Sequence, residues 1–143
     1  MTFLEWLFGR NKANYVDRRK RVFISFAIED EKFRTFLVGQ SKSHNSPFEF
    51  IDMSVKEAWD EDEWKKRCRT KIKRCHGAIV LLSKNTYHSS GVRYEVKCAI
   101  EEGIPIVGMH IKKGDKGAIL PELMNKKVIN WTWNSIEKFI NTL

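Results

Sequence analysis

Gly77-Ala-Ile-Val-Leu-Leu-Ser83 is the stretch that most constrains what this chain can fold into. A short, almost wholly apolar run describes a strand buried on both faces, as in a parallel sheet. A polar loop, Lys84 to Ser90, follows it. Next comes a helical pattern with Val92, Val96, Ala99 and Ile100 on one stripe, stopping at Gly103. Ligand crevices in open α/β sheets form at the carboxyl ends of the strands. Glu95 falls in the second turn of this helix, beside the apolar stripe and near that end. It is the candidate catalytic residue, although a helical glutamate is by default a solvated one.

The rest of the chain repeats the alternation. Val22 to Phe26 reads as the first strand, and Asp30 can cap a helix whose inward face is Phe33, Phe36 and Leu37 and which fades at Gly39. Phe48 to Asp52 alternates and reads as a short edge strand. Asp60 with Glu63 makes a capping-box-like start. The helix after it has Trp64, Cys68, Ile72 and Cys75 on one inward stripe. Ile104 to Ile111 is another buried strand, Pro121 opens a helical turn, and Lys127 to Trp131 is a last strand. Asn134 with Glu137 caps a terminal helix that turns Ile136, Ile140 and Leu143 inward. This order implies right-handed crossovers and a mainly parallel five-stranded sheet, with strand order 2-1-3-4-5 expected and helices on both faces. The fold class is an α/β, flavodoxin-like three-layer sandwich. Residues 21–143 form the domain. Residues 1–20 form an amphipathic and basic extension in which Phe3, Leu4, Leu7 and Phe8 share a face.

Composition narrows the function classes. The 143 residues are 42% hydrophobic and 31% charged, which suits one globular domain with a real core. The net charge of +8 favours anionic partners or is a solubilising excess. Three cysteines, Cys68, Cys75 and Cys98, show no CxxC spacing and read as small buried hydrophobes of a reducing compartment. A Cys68, Cys75 and His76 metal site lacks a fourth convergent ligand, so no metal is expected. No segment approaches the ~20 apolar residues of a membrane span, and a cytoplasmic location is expected. The absence of GxGxxG, GxxxxGK[ST] and GxSxG patterns removes support for a dinucleotide fold, a P-loop and a hydrolase nucleophile elbow. Lys65, Lys66, Arg67, Arg69, Lys71, Lys73 and Arg74 make one helix face basic. No aromatic residues interleave these charges, so nucleic acid is the weakest partner reading.

Two segments carry a resemblance. Val22-Phe-Ile-Ser-Phe-Ala-Ile-Glu-Asp30 resembles the first-strand signature of Toll/interleukin-1 receptor (TIR) domains. Leu81-Leu-Ser-Lys-Asn-Thr-Tyr-His-Ser-Ser-Gly-Val-Arg-Tyr-Glu95 resembles their third-strand-to-helix segment. The Val92-Arg-Tyr-Glu-Val96 wording is similar to TIR-like proteins of bacterial Thoeris anti-phage systems. One departure is Gly91, where the pattern commonly has a bulky aromatic residue. The resemblance covers about residues 20–143. It implies an enzyme that cleaves NAD at the nicotinamide–ribose bond and makes a cyclic or otherwise modified ADP-ribose signal for an effector protein. NAD is then a substrate and no cofactor is needed. Glu95 matches the catalytic glutamate. Ser25 and Phe26 after the first strand, Asp52 after the second and Ser83 after the third would line the crevice by topology. A second copy of the chain would complete the active site. The other readings are a non-catalytic TIR-type interaction module and, more weakly, a basic nucleic-acid-binding domain.

Overall fold

The computed structural model describes residues 19–44, 46–53, 59–115 and 117–143. Five strands, β1 Lys20–Ser25, β2 Phe48–Ile51, β3 Gly77–Leu82, β4 Ile106–His110 and β5 Val128–Asn130, form one sheet in the order β2-β1-β3-β4-β5. Every neighbouring pair is parallel, with Ser25 opposite Val80 and Leu82 opposite His110. Among the described residues four helices flank the sheet: α1 Glu31–Ser43, α2 Glu61–Lys73, α3 Ser90–Glu101 and α4 Trp133–Ile140. Single 3-10 turns stand at Ile28–Asp30 and Pro121–Leu123. None of the described helices is long and apolar enough to cross a membrane.

The period-2 pleat divides the core. Phe23, Ala78, Val80 and Ile106 turn toward α2 and α3, where they meet Cys68, Ile72, Val92, Val96 and Cys98. Val22, Ile24, Ile79, Leu81, Val107 and Met109 turn the other way, onto Leu37 of α1 and Ile136, Phe139 and Ile140 of α4. The doubly apolar reading of Gly77 to Ser83 thus has its cause in helices on both faces. The three cysteines are buried, unbridged and apolar in setting; burial pushes the Cys75 thiol up to about 11.

Four sequence expectations change. Asp30 precedes α1 but its side chain caps nothing there. The α1 helix runs past Gly39 to Ser43, and the Ser41 hydroxyl donates back to the Val38 carbonyl at 2.8 Å. Phe36 is exposed, with its ring edge against Phe33, while Leu37 is fully buried. Thr132, not Asn134, caps α4, accepting from the Ser135 amide at 3.1 Å. Asp60 does cap α2, accepting from the Glu63 amide at 2.8 Å. The amphipathic face of Phe3, Leu4, Leu7 and Phe8 expected in residues 1–20 lies outside the described residues.

Gly117 fixes the segment between β4 and β5 against the end of β3. Its φ is +61°, and a Cβ there would lie 2.4 Å from the Ser83 carbonyl oxygen. Asp115 beside it accepts from the Lys84 amide at 2.8 Å. Both the conformation and the clash penalise any larger residue. Gly117→Ala is expected to destabilise the chain by about 1–3 kcal/mol, read as a lower denaturant midpoint at unchanged slope.

Candidate functional site

The carboxyl ends of β1 and β2 and the first turns of α2 and α3 meet at one end of the sheet. Ser25 is the last residue of β1 and turns to the α3 side. Its hydroxyl donates to Oε1 of Glu95 at 2.7 Å. Seventy residues of chain separate the two, so the bond exists only through the sheet and the α3 packing. Ser89 starts α3 by accepting from the Val92 amide at 3.2 Å, which sets the helical phase that carries Glu95 inward.

Glu95 is 6% exposed and takes a core position of α3 between Val92 and Val96, whereas Ile100 turns out to solvent. Burial pushes its carboxyl up to about 8 from an ordinary 4.5. The Ser25 hydrogen bond pulls the other way, and the Asp52 charge adds a further upward push. Burial thus favours the neutral, protonated form of this carboxyl. A cation placed beside it would favour the charged form. A buried acid so perturbed at the ends of parallel strands has the marks of a functional group.

Asp52 follows β2 and faces Arg34 of α1, with Nε to Oδ2 at 3.6 Å. The Arg34 guanidinium also lies 5.7 Å from the centroid of the Phe26 ring. Phe26 packs on the α1 side of the sheet, away from Glu95. Among the described residues no three His, Cys, Asp or Glu side chains converge as metal ligands would.

The family model for the TIR-like domain of the Thoeris protein ThsB matches residues 23–116. The chain belongs to the ThsB TIR-like family. Among solved structures, the TIR domain of the Toll-related receptor TRR-2 from Hydra magnipapillata is similar at TM-score 0.60 and 12% identity, over 85% of this chain and 91% of that one. The CMP N-glycosidase BcmB from Clostridium botulinum is similar at TM-score 0.54 and 20% identity, over 86% and 97%. At these identities the two likenesses show the fold alone. No curated protein matches the chain.

In this ThsB-family chain the remaining candidate residue, Ser83, is committed elsewhere. Its hydroxyl donates to Oδ2 of Asp30 at 2.5 Å and accepts from the Asn85 amide at 2.9 Å. The Asn85 side-chain amide donates to the other oxygen of Asp30 at 3.1 Å. Asp30 thus gives up the helix cap and ties the exit of β1 to the exit of β3. Sequence reasoning missed this role. The signal was a strand-ending serine with an asparagine two residues on, which needed an acid as partner. Ser83→Ala is expected to cost about 1–3 kcal/mol, because the buried Asp30 carboxylate and the Asn85 amide each lose a partner.

The basic face of α2 in this ThsB-family domain is largely engaged within the chain. Lys65 pairs with Glu61 at 3.0 Å, Arg67 with Glu63 at 2.8 Å, and Arg69 with Glu101 and Glu102 at 2.7 and 2.9 Å. Lys71 donates to the Asp52 carbonyl at 3.1 Å. Four of the seven cations on that helix face thus carry internal partners, which weakens it as a phosphate-tracking surface.

Proposed function

We propose that the chain cleaves NAD at the nicotinamide–ribose bond and releases an ADP-ribose-derived nucleotide that signals to an effector protein. The observation that supports this reading best is the Ser25–Glu95 pair, a buried carboxyl held by a hydroxyl at the carboxyl ends of the strands. Membership of the ThsB family supports a TIR-type defence role around it. The same fold carries a CMP N-glycosidase in Clostridium botulinum, so it accommodates cleavage of an N-glycosidic bond.

The chemistry asks for little more. As the ribose C1′–N bond breaks, its electron pair passes to the ring nitrogen and cancels that nitrogen's positive charge. Nicotinamide leaves neutral, so no general acid is required. The cost lies in oxocarbenium character on the ribose, as in glycoside cleavage generally. The cationic ring entering beside Glu95 favours the carboxylate and expels its proton. The carboxylate then accepts hydrogen bonds from the ribose hydroxyls and opposes the charge that develops on the sugar. Ser25 holds one carboxyl oxygen, which fixes the orientation of the group. Water or a nucleophile within the substrate captures C1′ and decides whether the product is linear or cyclic. Asp52, Phe26 and Ser83 keep the neighbouring strand ends in place. A second copy of the chain completes the crevice.

The test is nicotinamide release from NAD by concentrated purified protein, with the products resolved by mass spectrometry. Release with an ADP-ribose product supports the reading. Self-association with no release, even after addition of phage-infected lysate, would favour a non-catalytic interaction module.

A further inference from the structure

Residues 3–8 put the large apolar side chains of Phe3, Leu4, Trp6, Leu7 and Phe8 around one acid, Glu5. The cations Arg10, Lys12, Arg18, Arg19, Lys20 and Arg21 follow, with Asp17 the one acid among them. The family match starts at residue 23, so the TIR-like domain does not account for this run. The Ser25–Glu95 pair makes no use of it either.

The fold shows where the run leads. It enters the sheet at Lys20, the first residue of β1. All strands are parallel, so their amino ends share one end of the sheet, and Glu95 stands near the other. At ~3.3 Å per residue, β1 keeps the two ends about 20 Å apart. The amino end is basic. Arg21 donates from Nε to the Arg74 carbonyl at 2.7 Å and from its amide to His76 Nδ1 at 3.0 Å. These bonds tie the end of α2 to the start of β1. Lys73 and Arg74 are exposed there, and no described carboxylate pairs with either. The acids nearby are engaged: Glu49 with Arg19 at 3.6 Å, and Glu101 and Glu102 with Arg69.

Cations at the end of a helix also complement its dipole, and a basic arm also suits nucleic acid. Neither reading employs Leu4 and Leu7. A membrane surface of negative charge takes both features at once. Apolar side chains enter the boundary between headgroups and acyl chains, where Trp is especially favoured, and cations meet the lipid phosphates. Two such attractions together hold a protein where either alone is marginal.

We propose that residues 1–20 seat the molecule on an anionic lipid surface, with Arg21, Lys73 and Arg74 alongside. The carboxyl ends of the strands and Glu95 then face away from the lipid. This is attachment to one leaflet, not a span, and it does not depend on the NAD reading.

Cosedimentation of the full chain with vesicles tests it. One set is phosphatidylcholine alone, the other an equal mixture of phosphatidylcholine and phosphatidylglycerol. The parent is expected to bind the mixed vesicles at least about 10-fold more tightly, and added salt should erode the difference. Leu4→Glu combined with Leu7→Glu should weaken binding about 10-fold or more. Lys73→Gln combined with Arg74→Gln should weaken it about 10-fold, since each cation at such a surface contributes about fivefold. Thermal melting checks that each variant folds. If the Lys73 and Arg74 pair does not, Arg10→Gln with Lys12→Gln is read in its place. No binding, equal binding to both vesicle types, or binding indifferent to the Leu4 and Leu7 pair would overturn the proposal. So would self-association, or retention of a duplex oligonucleotide, in place of vesicle binding.

Discussion

Glu95→Gln is expected to lower nicotinamide release from NAD by at least about 100- to 1000-fold while leaving the fold intact. The exchange keeps shape, and a glutamine oxygen can still accept from Ser25, which now donates at 2.7 Å. Helix propensity hardly changes between the two residues. On the proposed NAD reading, what is lost is the negative charge that the carboxyl takes on beside the cationic ring. The loss should fall mainly on kcat, because the charge acts most strongly on the oxocarbenium-like state. Steady-state kinetics on parent and variant, with circular dichroism on both, decide it. Turnover by the variant at the parent rate would remove Glu95 from the chemistry.

The same substitution is expected to change stability in the opposite sense, and by an amount that depends on pH. The Glu95 carboxyl is raised from 4.5 to about 8 by burial. A carboxyl raised in the folded chain lends its full stability only below the unfolded value. From pH 4.5 to about 8 the unfolded chain releases the proton while the folded one keeps it. Stability then falls by about 1.4 kcal/mol for each pH unit and levels off above 8. Glutamine does not titrate. The advantage of Glu95→Gln over the parent should therefore be small near pH 4.5, grow through neutrality, and reach on the order of 5 kcal/mol by pH 8 to 9. Denaturant midpoints of both proteins at four pH values measure it, and other titrating groups cancel in the difference. A flat difference would mean that the carboxyl is hydrated in the free protein.

The sheet was legible because its strands are short apolar runs between helices of opposite period. Gly77 to Ser83 could only be buried on both faces, and the chain order then left few topologies open. Local chemistry was less legible wherever two partners competed for one side chain. Asp30 has the position of a helix cap, but Ser83, 53 residues away, takes its carboxylate instead. Glu95 illustrates the same limit. A glutamate between Val92 and Val96 reads as the polar edge of a stripe, with Ile100 as its apolar continuation. The fold inverts that order, because Ser25 waits at the end of β1 while Ile100 meets solvent. Hydropathy ranks residues by type and has no view of a hydroxyl brought from 70 positions away. Gly91 was visible as a departure from the pattern, but the Trp64 indole that packs over it lies on α2.

Glu95 occupies a place that an apolar or neutral residue would fill at less cost, and this bears on how such chains diverge. A lineage that keeps the buried carboxyl must carry a standing burden in its core at every generation. A lineage released from that requirement gains robustness by a single codon change, with no rearrangement of strands or helices. Forms of this chain with and without the Glu95 carboxyl are therefore neighbours in sequence space, and the passage toward the neutral form runs downhill in stability.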